Sequence, residues 1–237
     1  DEHGYNTAVG HAALKVQNAG ANAYNVAVGA SAGLSVTTGT YNTLVGGLSG
    51  DALTSGNTNV AIGYQALTSE TQGDRSVAIG VSALEVQNNT SNADIYNVAV
   101  GYHAGKAMTT GTENIIVGGL AGDALTTGAL NVAIGHGALG AEDTGSGNVA
   151  VGYKALNDLD FDGTSYNIAL GYLAGEKITT GIVNTIIGGL AGDALTTSTR
   201  SVAVGYLSLS TETGSSRSVA IGTEALKNQN HLKLCSP

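Results

Sequence analysis

Apolar and polar positions follow one short pattern that returns thirteen times along this chain. Each copy begins with Asn or Ser, continues with three mostly apolar residues and a Gly, and has Ala or Ser eighth and Leu or Gly ninth. A fixed period this short indicates a solenoid, in which each repeat forms one coil stacked on the previous coil. The copies start, at intervals of 17 to 21 residues, at Asn6, Asn25, Asn42, Asn59, Ser76, Asn97, Asn114, Asn131, Asn148, Asn167, Asn184, Ser201 and Ser218.

The three residues before each Gly predict a short strand that is covered on both faces. In the fourth copy, Val60 and Ile62 point to one side of an extended segment and Ala61 points to the other. Both sides are apolar, which is typical of a strand buried twice. A thin solenoid has only one interior, so we expect the alanine side to pack against another chain. The predicted oligomer interface comprises Ala27, Ala61, Ala78, Ala99, Ala133, Ala150, Ala169, Ala203 and Ala220.

Three other positions complete the predicted coil. The Gly that ends each strand is expected to take a positive φ or to leave room for a tight corner. The Asn at the first position is expected to hydrogen-bond to its equivalent one coil away, as a ladder. Thirteen coils stacked at the interstrand spacing of about 4.8 Å would form a rod about 60 Å long. Where the ninth residue is Gly, an aliphatic residue three positions later is expected to fill the core: Val36, Leu53, Met108, Leu125, Ile178 and Leu195.

A slower rhythm of four coils is superimposed on the single coil. A nine-residue segment of the form Gly-Gly-Leu-(Ser/Ala)-Gly-Asp-Ala-Leu-Thr begins at Gly46, Gly118 and Gly188, at spacings of 72 and 70 residues. Residues 1–237 are therefore predicted to form one solenoid domain, with units at 6–75, 76–147 and 148–217 and a fourth starting at 218. Because no signal-like segment opens the chain, we expect a mature or trimmed fragment. The chain ends near residues 227–233, where the next insertion would begin, so we expect the rod to continue further.

Each unit also carries extra residues, near 17–24, 87–96 and 157–166. They are expected to bulge from one corner of the rod, about 19 Å apart at the interstrand spacing. Insertions into solenoid repeats often lie on one face, which is often the binding face. The sequence therefore predicts that these insertions are available for recognition.

Residues 76–80 and 218–222, both Ser-Val-Ala-Ile-Gly, resemble the head repeat of trimeric autotransporter adhesins of the YadA type. Residues 6–10, Asn-Thr-Ala-Val-Gly, resemble repeats of phage and marine-virus tail-fibre proteins. The resemblance covers residues 6–226 and implies a parallel β-roll of three chains that serves as a fibre or an adhesin. The adhesin repeat is shorter than the 17-residue repeat found here, so a larger cross-section is expected.

Composition narrows the classes of partner. The formal net charge is −9 and no basic cluster occurs, which disfavours nucleic acid as a partner. No apolar run is long enough to span a bilayer, so membrane insertion is not expected.

With 36 Gly, one Phe and no Trp, the core is expected to be thin. The single Cys235 cannot form a disulfide within the chain, and its role is left open.

Acidic residues supply the one candidate metal site. Asp158, Asp160 and Asp162 alternate ahead of Gly163, as in the first half of a calcium-binding loop, although Ala169 stands where such loops have Glu. The alternative is a solvated acidic loop without any cofactor. A second set of aspartates recurs four coils apart, too far to share a metal within one chain. These residues are expected to cap turns or accept backbone hydrogen bonds; the alternative is that copies of one Asp meet across a three-fold axis: Asp51, Asp123 and Asp193.

Tyrosines supply the candidate glycan or receptor contacts. In five copies a Tyr follows the strand-ending Gly, and an exposed row of such rings could stack on sugars. The alternative is that the rings cover coil edges or seams between chains. These residues are Tyr64, Tyr102, Tyr153, Tyr172 and Tyr206.

No catalytic arrangement is recognisable, so an enzyme is not expected, although a catalytic groove across parallel coils remains an alternative. The favoured function is a structural fibre or adhesin segment, extracellular and on a virion or cell surface. It would associate with itself, as a homotrimer or fibre, and bind a surface glycan or receptor. The alternatives are a trimeric autotransporter-type adhesin head and, less favoured, an ice-binding solenoid that uses the Thr-Thr-Gly turns.

Overall fold

The structure, a computed structural model, describes residues 4–214 and 216–228, and Cys235 lies outside the described residues. Within these ranges the chain forms thirteen three-residue strands and no helix. All strands join one parallel sheet in chain order, as a β-solenoid of about thirteen turns, which confirms the predicted fold class. The strands are β1 (Thr7–Val9), β2 (Val26–Val28), β3 (Thr43–Val45), β4 (Val60–Ile62), β5 (Val77–Ile79), β6 (Val98–Val100), β7 (Ile115–Val117), β8 (Val132–Ile134), β9 (Val149–Val151), β10 (Ile168–Leu170), β11 (Thr185–Ile187), β12 (Val202–Val204) and β13 (Val219–Ile221).

Strand register is residue for residue, so each position of the repeat forms a column along the rod. For example, Val60 pairs with Val77, Ala61 with Ala78, and Ile62 with Ile79. Backbone hydrogen bonds between coils continue beyond the strands into the turns. The structure is therefore held along its axis by parallel ladders on several sides.

The alanine side of the strands lies inside the coil, and the prediction of an interchain alanine face is wrong. All nine predicted interface alanines are buried in the core of the single chain, eight of them with no exposed surface. The valines and isoleucines of the strands point outward instead. The physical reason is the thinness of the coil, whose interior at the strand is already filled from the opposite wall by leucines such as Leu67. The misassigned residues are Ala27, Ala61, Ala78, Ala99, Ala133, Ala150, Ala169, Ala203 and Ala220.

The third, ninth and twelfth residues of each coil share its interior. Leu44 replaces the usual strand Ala only in a coil whose ninth residue is Gly50. A Cβ on Gly50 would lie 2.8 Å from Leu44 Cδ2, and a Cβ on Gly33 in the previous coil would lie 2.7 Å from Leu44 Cδ1. Large side chains on one wall therefore require Gly on the facing wall. As expected from the sequence, the aliphatic residues at the twelfth position are fully buried: Val36, Leu53, Met108, Leu125, Ile178 and Leu195.

The asparagine ladder is present, and it ties side chains to backbone. Asn42 donates its backbone N–H to Asn25 Oδ1 at 2.8 Å, and Asn42 Nδ2 donates to the carbonyl of Gly56 at 2.9 Å. The same two contacts recur along the rod, and the ladder asparagines from Asn25 to Asn184 are fully buried. Each amide therefore satisfies backbone groups on both walls of the coil.

The turn after each strand reverses through left-handed residues. The strand-ending glycines have φ between 126° and 143°, as predicted for a tight corner. Two further positions in each turn are also left-handed, and most of them are not Gly. In the fourth coil these are Gln65 and Leu67, each with φ of 55°. Burial of leucines such as Leu67 offsets the cost of about 1–2 kcal/mol for this conformation.

Candidate functional site: the outward sheet face and the insertions

The outward side of the sheet is a strip of aliphatic side chains. The second and fourth residues of every repeat form its two columns, which contain only Val, Ile, Leu and Thr. These side chains are half-buried to exposed, and Ile62 and Ile134 are each 37 % exposed. The strip follows all thirteen strands for about 60 Å. No charge interrupts the two columns, so the single chain leaves a long apolar face open to solvent.

Tyrosines border this strip on both sides. The predicted contact residues Tyr64, Tyr102, Tyr153, Tyr172 and Tyr206 are all exposed, by 42–56 %. Only two of these five tyrosine rings, Tyr153 and Tyr172, stack on each other in the structure. Tyr153 stacks on Tyr172 at 5.3 Å between ring centroids and on His136 at 5.7 Å, whereas Tyr102 stacks on His103 at 3.8 Å.

A second tyrosine row lies on the other border of the strip. Tyr5, Tyr24 and Tyr41 stack with ring centroids 5.2 Å and 5.5 Å apart. Rings stacked in this way cover one another's faces, so edges and hydroxyls face the solvent. This geometry suits a seam beside an apolar strip at least as well as stacking on sugar rings.

The three insertions leave the solenoid at the same corner. Asn18, Asn88 and Asp160 occupy equivalent positions, and each donates its backbone N–H to the carbonyl of a Thr in the next coil at 2.8–2.9 Å. The extra residues follow directly after this bond. The insertions therefore share one side of the rod.

A buried glutamate precedes two of the insertions, and the sequence analysis missed this feature. Glu70 and Glu142 lie one coil before the second and third insertions and have no exposed surface. Glu212 occupies the same position in the third unit and is 3 % exposed. The sequence signal that could have identified these glutamates is their spacing of 72 and 70 residues, which equals the length of the four-coil unit.

Glu70 holds the second insertion through a full set of hydrogen bonds. Its Oε1 accepts from the backbone N–H groups of Thr71, Gln72 and Gly73 at 2.8–3.1 Å and from that of Asn89 at 3.0 Å. Its Oε2 accepts from the side-chain amides of Gln87 and Asn89. Convergent N–H donors of this kind form a site for a negative charge. The carboxylate thus connects one coil to the insertion of the next.

Glu142 holds the third insertion with fewer partners. Oε1 accepts from the Gly145 N–H at 2.6 Å, and Oε2 accepts from the Phe161 N–H at 3.4 Å. The position that Gln87 fills after Glu70 is occupied here by Leu159. Burial raises the pKa of the Glu142 carboxyl to about 7, although these two N–H groups act in the opposite direction.

No family model matches the chain, and no curated protein or solved structure matches it either. The arrangement of the residues is therefore the basis for any functional proposal.

The three candidate calcium ligands do not converge. Asp158 forms an ion pair with Lys177 at 2.9 Å, and Asp162 Oδ1 accepts a hydrogen bond from Thr144 Oγ1 at 2.6 Å. Asp160 is exposed. Among residues 4–214 and 216–228, no three His, Cys, Asp or Glu side chains lie close enough together to hold a metal ion. The loop at 158–162 is thus engaged by coil-to-coil contacts.

The threonine turns use their hydroxyls along the rod. Thr37 Oγ1 donates to the carbonyl of Thr54 at 3.2 Å, and Thr109 Oγ1 and Thr126 Oγ1 make the same kind of bond. The first Thr of each such turn is committed in this way, whereas the second, at Thr38, Thr110 and Thr127, is exposed. In the part of the chain that the structure describes, no helix is sufficiently long and apolar to span a bilayer.

The raised pKa of Glu142 predicts a pH-dependent stability. The unfolded chain loses this proton near pH 4.5 and the folded chain near pH 7, so the contribution of Glu142 to stability is fully present below pH 4.5 and is lost as pH rises through 7. The loss is at most about 3 kcal/mol. Replacing Glu142 with Gln removes this titration, so we expect the difference in Tm (variant minus wild type) to rise by several degrees between pH 4.5 and 8.

Glu70→Gln is the matched control. Its amide nitrogen cannot accept from the donors that surround Glu70, so this variant should be less stable than the wild type at pH 8. Thermal unfolding followed by circular dichroism at the two pH values measures both effects. A Glu142→Gln difference that is the same at pH 4.5 and pH 8 would contradict the assignment.

Proposed function

We propose that this protein is a non-enzymatic, self-associating rod, a segment of an extracellular fibre or adhesin on a virion or cell surface. The observation that carries the proposal is the outward Val and Ile strip along the whole sheet. Copies of the chain associate through this strip as a homotrimer or a fibre, and the insertions at their shared corner of the rod are available for a receptor or glycan.

The size of the strip supports association with a second copy. A strip about 10 Å wide and 60 Å long has an area of roughly 600 Å². The tyrosine rows on its borders bring it close to the ~800 Å² that each partner buries in a standard stable interface. Solvent-exposed apolar patches of this size generally mark interaction surfaces.

The chemistry of the strip also favours a copy of the same chain. Neither column carries a charge, so two strips can meet without leaving a buried unpaired ion. The formal net charge of −9 is carried by other parts of the coil. An identical apolar face is complementary to itself under a rotational symmetry, as closed oligomers require.

The mechanism of such a rod is mechanical. Parallel backbone ladders and the asparagine ladder resist extension along the axis. The apolar strip aligns neighbouring chains side by side and so stiffens the assembly. The second and third insertions stay in fixed positions because Glu70 and Glu142 hold them to the preceding coil.

A double substitution on the strip tests the proposal. Ile62→Asp with Ile134→Asp introduces two charges into the apolar face, and we expect at least a 100-fold weaker self-association, or about 3 kcal/mol. Thr110→Asp with Thr127→Asp is the matched control, because it adds the same charge at exposed turn positions. Sedimentation velocity in 150 mM salt measures the oligomeric state. A wild-type chain that remains monomeric at 100 µM would overturn the proposal.

A further inference from the structure

A notch opens in the side of the rod at the eighth coil, where two glycines replace side chains. Gly137 and Gly140 form its floor, and its volume is about 290 Å³. The coils on either side supply its walls, with Leu120 and Asp123 on one side and Lys154 and Asn157 on the other. A volume near 300 Å³ is at the lower end of the range for ligand pockets and suits one small ring.

The notch is specific to the second unit. In the first unit Thr68 occupies the place of Gly140, and its hydroxyl donates a hydrogen bond to Asp51, the equivalent of Asp123. In the third unit this place is taken by Ser210, which is 9 % exposed. Only at Gly140, within the described units, does the coil lack a side chain beside the repeated aspartate.

The polar groups at the notch can both donate and accept hydrogen bonds. Asp123 offers carboxylate oxygens and Lys154 offers N–H donors. Asn157 Nδ2 donates to the Gly137 carbonyl at 2.8 Å, which directs this side chain across the notch and leaves Oδ1 as an acceptor. The His136 ring lies at the edge and continues into the exposed stack with Tyr153.

The charges at the notch favour a neutral ligand. Asp123 and Lys154 lie on opposite walls, so the site has little net charge, and the Lys154 ammonium lies over the Tyr153 ring, 5.9 Å from its centroid. Burial raises the pKa of the Asp123 carboxyl, while its own backbone N–H and the nearby His103 and His136 act in the opposite direction. A ligand whose hydroxyls both donate and accept satisfies such a mixed wall better than an ion does.

We propose that this notch binds a single neutral pyranose, as a terminal residue of a surface glycan. Its hydroxyls bond Asp123, Lys154 and Asn157, and its apolar face lies against the Leu120 side. The proposal rests on the attachment role proposed above. It is tested separately, because the notch lies within one chain and requires no association through the Val and Ile strip.

Gly140→Thr is the variant that closes the notch. An added Cβ would lie 2.6 Å from Asn157 Nδ2, the movable end of a side chain, and 3.3 Å from the Gly137 carbonyl oxygen. The first unit accepts Thr at this position, so the variant should fold. Ser210→Thr is the matched control, since it adds a methyl group at the equivalent place in the third unit.

Saturation-transfer NMR with the methyl glycosides of glucose, galactose and mannose tests the site. We expect transfer to at least one of them with a Kd of the order of 1 mM. Transfer should fall at least tenfold in Gly140→Thr and persist in Ser210→Thr, with unchanged circular dichroism in both. Absence of transfer at 50 mM of each glycoside, or equal transfer in Gly140→Thr, would overturn the proposal. So would binding restricted to a charged sugar, probed with the methyl glycoside of N-acetylneuraminic acid.

Discussion

Replacing Gly118 with Ala should lower the stability of this rod by about 3–5 kcal/mol. Gly118 ends β7 with φ of 138°, a conformation that L-residues rarely adopt. An added Cβ would lie 2.5 Å from the carbonyl oxygen of Gly135 in the next coil. Neither Gly118 nor Gly135 can move away, because the backbone of both residues is hydrogen-bonded along the rod. The strain and the overlap therefore add to each other.

Gly119→Ala is the matched control, one residue further along. Its φ lies outside the left-handed range, and an added Cβ would meet His136 Cδ2 at 3.6 Å and the Tyr102 carbonyl oxygen at 4.0 Å, both ordinary contacts. We expect Gly119→Ala to raise stability by less than about 1 kcal/mol, because Ala restricts the unfolded chain. In thermal unfolding, the Tm should fall by roughly 10 °C in Gly118→Ala, and Gly119→Ala should show no such decrease.

Limited proteolysis supplies a second measurement for the same pair. A solenoid can open locally at a damaged coil, so a melting curve alone can underestimate the damage. Gly118 is in the seventh of thirteen coils, and cleavage there would divide the rod into two halves. Equal resistance of the Gly118→Ala and Gly119→Ala variants would show that the column of glycines does not control the corner.

The period, the strands and the corners could be predicted because each depends on local chemistry that is repeated thirteen times. A Gly at one fixed place indicates a special φ, and three apolar residues before it indicate a covered strand. The structure confirms the positive φ of this Gly and the position of the strand in every coil. Repetition made the prediction strong, since a chance pattern would not recur at this period.

The prediction of which strand face points inward was wrong, because an alternating pattern distinguishes the two faces of a strand without showing which one faces the interior. Val60 and Ile62 are more apolar than Ala61, yet the interior has room only for the smaller side chain. The decisive signal was a correlation between the residue types at the third and ninth positions of the repeat. Leu44, Ile116 and Ile186 replace the strand Ala only in coils whose ninth residue is Gly, which places the third and ninth residues in one cavity.

The buried glutamates and the notch depend on contacts between coils, which a single repeat does not reveal. Glu70 stands in a polar turn, where a carboxylate is normally solvated. Its burial follows from the insertion of the next coil, whose Asn89 covers and binds it. The notch arises from the absence of a side chain at Gly140, which matters only beside Asp123 and Asn157.

The asparagine ladder predicts the second large effect, a loss of about 3–5 kcal/mol when Asn131 is replaced by Leu. Asn131 Nδ2 donates to the Gly145 carbonyl at 2.8 Å, and its Oδ1 accepts from the backbone N–H of Asn148 at 3.0 Å. Leu has a similar size but can make neither bond. Two buried backbone groups would lose their partners, at about 1–3 kcal/mol each.

Asn22→Leu is the control for this change, because Asn22 is exposed in the first insertion. It should alter the Tm by about 1 °C or less, whereas Asn131→Leu should lower it by roughly 10 °C. Amide hydrogen exchange separates a ladder effect from a packing effect. Loss of the two bonds should accelerate exchange at Asn148, one coil away, before it accelerates exchange at more distant strands. Unchanged protection of the Asn148 amide in Asn131→Leu would mean that the side-chain ladder does not hold neighbouring coils together.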